Sequence, residues 1–260
     1  MRLQGKIAVI TGGASGIGGE ATKLFAAEGA TVIMLDVKEA EGKALEQALT
    51  EQGLSVKFLR TDISDPAQVQ ASMAEIDRLY GRLDVLYNNA SVYLGGREAG
   101  AEDLDVDVWK KVLSINLDGL FYCCKYALPI MKRTGGAIVN TASSAAVVGV
   151  PGCAGYTATK GATVALTRSM AVDYGKYNIR VNCIAPAAIL TEMVKESNLN
   201  DPSFDNDFFI RQITPLKRWG TPQDIAQIAC FLSSDDASYI NGAILTADGG
   251  ITINGTVNPM

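Results

Sequence analysis

The sequence predicts an α/β fold, a doubly wound parallel sheet of seven strands with helices on both faces, in a single domain spanning residues 1–260. Three observations carry this. Short β-branched apolar runs recur along the chain, and helix-length amphipathic stretches separate most of them. Such alternation implies parallel strands, because a chain that re-enters a sheet in the same direction needs a crossover, which a helix supplies. The length of 260 residues is near the upper size at which one hydrophobic core keeps growing.

The elements follow in order. The first strand covers 7–11 and runs through a glycine-rich turn into a helix over 16–27. A second strand over 31–35 closes at Asp36, followed by a helix over 40–51 and a third strand over 56–59. A helix over 66–80 leads to the fourth strand, 83–87, and one long helix over 108–132 leads to the fifth, 137–140. A helix over 157–174 precedes the sixth strand, 180–184, and the seventh covers 243–246. Residues 187–219 mix Asn, Asp, Pro and Phe without a clean period, and we read them as a segment covering a substrate site, a plain surface insertion being the rival reading. The tail from Asn254 is expected to be loose.

Composition narrows the function. Apolar residues make up 48% and charged residues 20%, as in an ordinary globular protein. A net charge of -5 lacks the basic excess that neutralising a phosphate backbone requires, so no nucleic-acid partner is expected. The run 7–10 is too short for a signal-peptide core and no apolar stretch has membrane-spanning length, so no membrane partner and a cytoplasmic location are expected. Five cysteines without C-x-x-C spacing suggest neither a disulfide framework nor a metal site. With no histidine, imidazole-dependent hydrolysis and His-ligated zinc are excluded.

The first strand ends in Thr11-Gly12-Gly13-Ala14-Ser15-Gly16-Ile17-Gly18. Glycines let a backbone turn sharply and approach a pyrophosphate, whose charge the N–H groups of the following helix hold, so the architecture is read as Rossmann-like. Asp36, about twenty residues further on, can accept both hydroxyls of an adenosine ribose and would repel a 2′-phosphate. Lys38 is close by, but no arginine is placed to offset Asp36, which favours NAD(H) over the phosphorylated cofactor. A bare turn and a helix-capping Asp36 are the plainer alternatives.

Further along stand Asp62 in Thr61-Asp62-Ile63, then Asn88-Asn89-Ala90-Ser91, Asn116, Ser143, and Tyr156 with Lys160. Oxidising an alcohol requires a base for the hydroxyl proton as hydride leaves the carbon. A phenol with an ordinary pKa near ~10 is a poor base at neutral pH, and a cation one helical turn away, Lys160, favours its ionised form. In this order and company the residues resemble the short-chain dehydrogenase/reductase family over nearly the whole chain. The resemblance implies an enzyme interconverting a secondary alcohol and a ketone, with Asn116, Ser143, Tyr156 and Lys160 catalytic. Tyr156 would be the acid/base, Ser143 would bond the reacting oxygen, with Ser144 its rival, and Lys160 would also hold the nicotinamide ribose. Asn116 would position a relay water, a purely structural role being the alternative. Cofactor contacts are implied at Gly12, Ser15, Gly16, Ile17, Gly18, Asp36, Asp62, Ile63, Asn89, Ala90, Tyr156, Lys160, Pro186, Ile189 and Thr191.

Two departures stand out. Ser91 and Ala187 replace family glycines, and Ala187 is expected to resist a positive φ beside the nicotinamide. Substrate contacts are expected at Ser143, Ala145, Cys153 and Tyr156, with Val92, Tyr93, Ala188 and residues 193–213 nearby, and Arg211 either a surface residue or a receiver of acidic groups. These mostly small or apolar side chains suit a modest alcohol or ketone. Phe121, Tyr122, Leu166 and Met170 suggest apolar helix faces left over for the homotetramer that the resemblance implies, or simply core. An NADPH-dependent carbonyl or 3-oxoacyl reductase and, more remotely, a non-catalytic NAD(H) sensor are the competing functions.

Overall fold

The computed structural model describes residues 1–195 and 204–255. Its strands are β1 (Ile7–Thr11), β2 (Thr31–Asp36), β3 (Val56–Arg60), β4 (Val85–Asn88), β5 (Gly136–Thr141), β6 (Ile179–Pro186) and β7 (Ile244–Ala247). They form one sheet in the order β3-β2-β1-β4-β5-β6-β7, all pairs parallel. The helices are α1 (Gly16–Ala27), α2 (Glu39–Thr50), α3 (Pro66–Tyr80), α4 (Val106–Leu113), α5 (Gly119–Met131), α6 (Ala154–Tyr174), the single turns α7 (Glu192–Val194) and α8 (Asn206–Phe208), and α9 (Pro222–Ser233). Strand order reverses direction at β1 and β4, so their carboxyl ends diverge into a crevice, the place where such sheets bind ligands.

Every residue of β1 and β4 is buried, because both faces are covered and alternate side chains feed two separate cores. Ile7 and Val9 pack with α3, α5 and the end of α6, where Met73, Leu120 and Met170 lie. Ala8 and Ile10 pack on the other face with Phe25 of α1 and Ile225 of α9. Among the described residues no helix is long and apolar enough to cross a membrane.

The expected long helix over 108–132 is interrupted. Between α4 and α5 one π-helical turn, Ser114–Asp118, carries buried Asn116. An extra residue in a turn re-aims the side chains that follow, and here it lets Asn116 reach another segment's backbone. Helix α6 begins three residues earlier than read, because its amide groups are capped from a distant loop rather than by a local signal. Helix α9 did not enter the sequence reading, although Thr221-Pro222-Gln223-Asp224 is a complete capping box with proline in the first turn. Arg180 of β6 then donates to the Leu232 and Ser234 carbonyls at 2.9 Å each, tying the far end of α9 to the sheet.

The segment 187–219 leaves and returns at adjacent points, joined by a bridge between Ile189 and Gly220. Leu190 N–H donates to the Gly220 carbonyl and Gly220 N–H to the Ala188 carbonyl, both at 2.9 Å. Within it Phe209 stacks on Trp219 with ring centroids 4.8 Å apart. Part of the expected cover, residues 196–203, lies outside the described residues, as do residues 256–260 of the tail. Asn254 is not loose, for its amide donates to the Gln212 and Ile213 carbonyls at 3.1 and 3.0 Å. The expected surplus apolar faces shrink too. Met170 is core, Tyr122 and Leu166 pack against it, and Phe121 stays exposed.

Backbone strain falls one residue later than expected. Ala188, not Ala187, holds a positive φ of 51°. That conformation costs a residue with a Cβ about 1–2 kcal/mol, which a glycine would not pay. Ala188→Gly should therefore leave the thermal midpoint unchanged or slightly higher, after the unfolded chain's extra freedom takes back about 0.4–1 kcal/mol. Ala187→Gly relieves nothing and should lose about 0.5–1 kcal/mol. Calorimetry on the two variants checks this, and the reverse ranking would count against it.

Candidate active site

The turn after β1 lies tight against the end of β4. A Cβ on Gly18 would stand 2.0 Å from the Gly12 carbonyl oxygen, and one on Gly12 would stand 3.0 Å from Ala90 Cα. Gly12 and Gly16 hold φ of 64° and 55°. Thr11 Oγ1 accepts the N–H groups of both Asn89 and Ala90 at 3.0 Å, while Asn89 Nδ2 donates to the carbonyls of Thr11 (3.2 Å) and Gly12 (3.4 Å). Asn89 thus works as a strut between the two loops, with its amide donor turned inward. Ser15 stands at the head of α1 without capping it by its side chain, so the first helical N–H groups face the crevice uncompensated by that hydroxyl.

Asp36 is nearly buried at the end of β2. Its carboxylate accepts the N–H groups of Ala14 and Lys38, both at 3.0 Å, so the acid and the glycine turn hold each other. Lys38 Nζ lies 3.4 Å from Ser15 Oγ. Asp62 accepts both the N–H (2.9 Å) and hydroxyl (2.7 Å) of Ser64 on one oxygen. The Ile63 side chain is core, packed where Gly119 leaves space, which leaves its backbone for any contact with a ligand. On the far side Pro186 ends β6, Ile189 is core, and Thr191 heads α7 within van der Waals reach of a Cβ placed on Gly16. These features fit a dinucleotide: a glycine-lined approach, an open helix start and an acid at the adenosine end.

The reactive side chains meet where β5 and α6 approach. Tyr156 is in the first turn of α6, and Lys160 one turn on is 2% exposed, its Nζ donating to the Thr141 carbonyl at 2.9 Å. Nζ stands 5.4 Å from the Tyr156 ring centroid. Ser143, two residues past the end of β5, accepts Ala145 N–H at 3.2 Å. Burial pushes the Tyr156 phenol up to about 12, and the nearby Ser143 hydroxyl acts against that rise. Burial brings the Lys160 ammonium down to about 8. The expected geometry is present, but burial rather than the lysine dominates the phenol's ionisation.

Asn116 spends its amide on structure. Its Oδ1 accepts Val92 N–H at 2.8 Å and its Nδ2 donates to the Val92 carbonyl at 2.9 Å, with Thr159 Oγ1 at 3.3 Å. The residue pins the segment after β4 beside the catalytic helix, so any contact with a relay water falls to its backbone. Of the expected substrate contacts, Ala145 and Cys153 are almost closed off, Cys153 Sγ being engaged with the Val150 carbonyl (3.3 Å) and Thr157 Oγ1 (3.4 Å). Arg211 is a surface residue paired with Asp207 at 3.5 Å. Tyr93 packs edge-on against the Tyr156 ring at 5.2 Å. Glu98, which the sequence reading missed, accepts the N–H groups of Gly155 and Tyr156; no local pattern marks it, because its partners are far along the chain. A cavity of about 480 Å³ opens between the ends of β6 and β7, the start of α9 and the returning segment, lined by Ala187, Ala188, Thr214, Leu216 and Gly249. Its walls include none of Ser143, Tyr156 and Lys160.

A family model described as enoyl-(acyl carrier protein) reductase matches residues 12–252. The chain is 40% identical over 256 residues to levodione reductase of Leifsonia aquatica, covering 96% of this chain and 95% of that protein. It is 39% identical over 253 residues to meso-2,3-butanediol dehydrogenase of Serratia marcescens, covering 97% and 96%. A crystal structure of levodione reductase superposes with a TM-score of 0.91 at 39% identity, over 97% of this chain and 99% of that one. A gluconate 5-dehydrogenase from Burkholderia cenocepacia J2315, solved with NADP and tartrate, gives 0.90 at 32%, covering 97% of each chain.

The depressed lysine has a consequence for stability. Its folded pKa, about 8, lies below its ordinary value of 10.5. The unfolded chain therefore binds the extra proton, and folding bears the cost in full below pH ~8 and loses it above ~10.5. Lys160→Met should raise stability by about 1–2 kcal/mol at pH 7, since relief from burying a charge exceeds the loss of one hydrogen bond. Urea unfolding at pH 7 and at pH 10.5 checks this, the gain being present at the first and absent at the second.

Proposed function

The chain belongs to the short-chain dehydrogenase/reductase family, and from that premise we propose that it interconverts a secondary alcohol and a ketone with NAD(H), Tyr156 acting as acid and base. The observation that carries this reading is the meeting of Tyr156, Ser143 and Lys160 beside the glycine turn, at the carboxyl ends of the central strands. A nicotinamide dinucleotide held by these residues would supply the acceptor or donor of the hydride.

The chain's own groups do the rest. Ser143 bonds the reacting oxygen, Tyr156 takes the hydroxyl proton in oxidation and returns it in reduction, and Lys160 steadies the phenolate and the ribose hydroxyls. Asn116 holds the neighbouring segment in place and leaves its backbone to a relay water. Ser15, Gly16, Ile17 and Gly18 meet the pyrophosphate, Asp36 the adenosine ribose, Asp62 and Ile63 the adenine, and Pro186, Ile189 and Thr191 the carboxamide side, with Gly12 and Ala90 between. Residues 187–219 cover the substrate. The relatives named for a diol and for levodione support a small, neutral, partly apolar substrate, in keeping with Tyr93 and Val92 near Tyr156. Assembly as a homotetramer in the cytoplasm belongs to the same proposal, β7 being one of the two edge strands of the described sheet.

NAD(H) rather than NADP(H) rests on Asp36, whose carboxylate is locked at the ribose end by two N–H groups and would face a 2′-phosphate. The rival NADPH reading draws on Lys38 standing over Ser15 and on the NADP bound by the gluconate 5-dehydrogenase.

Tyr156→Phe keeps the ring and removes the ionisable hydroxyl. Turnover of meso-2,3-butanediol with NAD, followed by NADH absorbance, should fall by about 100-fold or more while NADH binding by fluorescence titration stays within a factor of about two. Near-normal turnover would remove the acid/base assignment. Asp36→Ala should raise the KM for NAD about tenfold or more, the loss of a charged hydrogen-bonding group, and improve use of NADP. An unchanged cofactor ratio would defeat the NAD assignment.

A further inference from the structure

Helix α6 begins without a side-chain cap from its own N-cap residue, Cys153. Its first amides find acceptors in a loop far earlier in the chain. Ala154 N–H donates to the Ala99 carbonyl at 3.1 Å, Gly155 N–H to Glu98 Oε2 at 3.2 Å and Tyr156 N–H to Glu98 Oε1 at 3.0 Å. Gly155 permits the approach, since a Cβ there would stand 3.3 and 3.4 Å from the two carboxylate oxygens. The carboxylate is set at the positive end of the helix dipole, where a negative charge is favoured.

The same loop carries Tyr93, and it is held at both ends. Asn116 grips Val92 through both backbone groups, and Glu98 grips the catalytic helix, so the Tyr93 ring is fixed edge-on against Tyr156. We propose that Glu98 is a positioning residue for the chemistry at Tyr156, its carboxylate fixing the tyrosine's own amide and, through the loop that carries both, the Tyr93 wall. The role rests on Tyr156 being the acid/base. Facing the phenol are Ser143 after β5, Lys160 on the same helix, Cys153 ahead of it, and Tyr93 and Glu98 from the loop. Burial holds both Tyr156 and Tyr93 toward their protonated forms, and the Glu98 charge adds to that in the same direction as the smallest of the causes.

The test uses the full chain with Glu98→Gln, which keeps shape and one acceptor, and Glu98→Ala, which keeps neither. The Tyr156 phenol is titrated by phenolate absorbance, with Tyr156→Phe in each background subtracting the other tyrosines, so the readout needs no turnover. The midpoint should fall by about half a unit or more in both variants, as expected for loss of a nearby like charge. Hydrogen exchange in the peptide spanning 153–160 should quicken about tenfold in Glu98→Ala and less in Glu98→Gln. Where the wild type oxidises meso-2,3-butanediol, the acid limb of its kcat profile should move to lower pH with KM nearly constant. Unchanged exchange across 153–160 in Glu98→Ala, together with an unchanged phenol midpoint, overturns the proposal. A wild type that oxidises no alcohol strikes the proposed activity instead and leaves the exchange and the titration to decide on Glu98.

Discussion

One hydroxyl sets the width of the crevice on which both halves of the site depend. Thr11 Oγ1 takes two backbone N–H groups from the end of β4 and so fixes the separation of the two strands at which the sheet changes direction. Glycine at 12 and 18 lets the backbones close to contact there, and Asn89 locks the arrangement from the other side. The helix start that faces an anion and the strand end that leads toward the reactive residues are then held in one frame. A loosening at Thr11 would move both together.

Tyr156 and Lys160 run against the tendencies that stabilise the rest of the molecule. Cores on both faces of the sheet are apolar, yet an ammonium and a phenol are buried beside them with their ionisations pushed in opposite directions. Both shifts have one cause, burial, which disfavours the charged form of either group, so the phenol rises and the ammonium falls. The protein contains the cost with hydrogen bonds: the Thr141 carbonyl for the lysine and the Val92 backbone for Asn116. Thr141 ends β5 and Val92 follows β4, so sheet rigidity becomes site rigidity.

Much of this was legible in the residue order. All seven strands were readable from β-branched runs, since strands covered on both faces need nearly continuous apolar residues. The glycine turn, Asp36, Ser143, Tyr156 and Lys160 were readable because their spacing is local and their chemistry demands particular side chains. The π-helical turn at Asn116 was not, because its cause is a contact with Val92 on another segment. Helix α9 was written in its capping box yet went unread, hidden behind the irregular stretch before it.

By itself the sequence determined the seven strands, the glycine-rich turn and the candidate side chains at 143, 156 and 160, since these depend on periodicity and residue chemistry over a few positions. Tertiary structure alone decided that Asn89 and Asn116 spend their amides on backbone, that strain falls on Ala188, that burial outweighs Lys160 at the phenol, and that Glu98 caps the catalytic helix. The physical reason is common to all four. Hydrogen-bond partners, dihedral strain and desolvation are set by neighbours brought together in space, and linear order carries no measure of that distance.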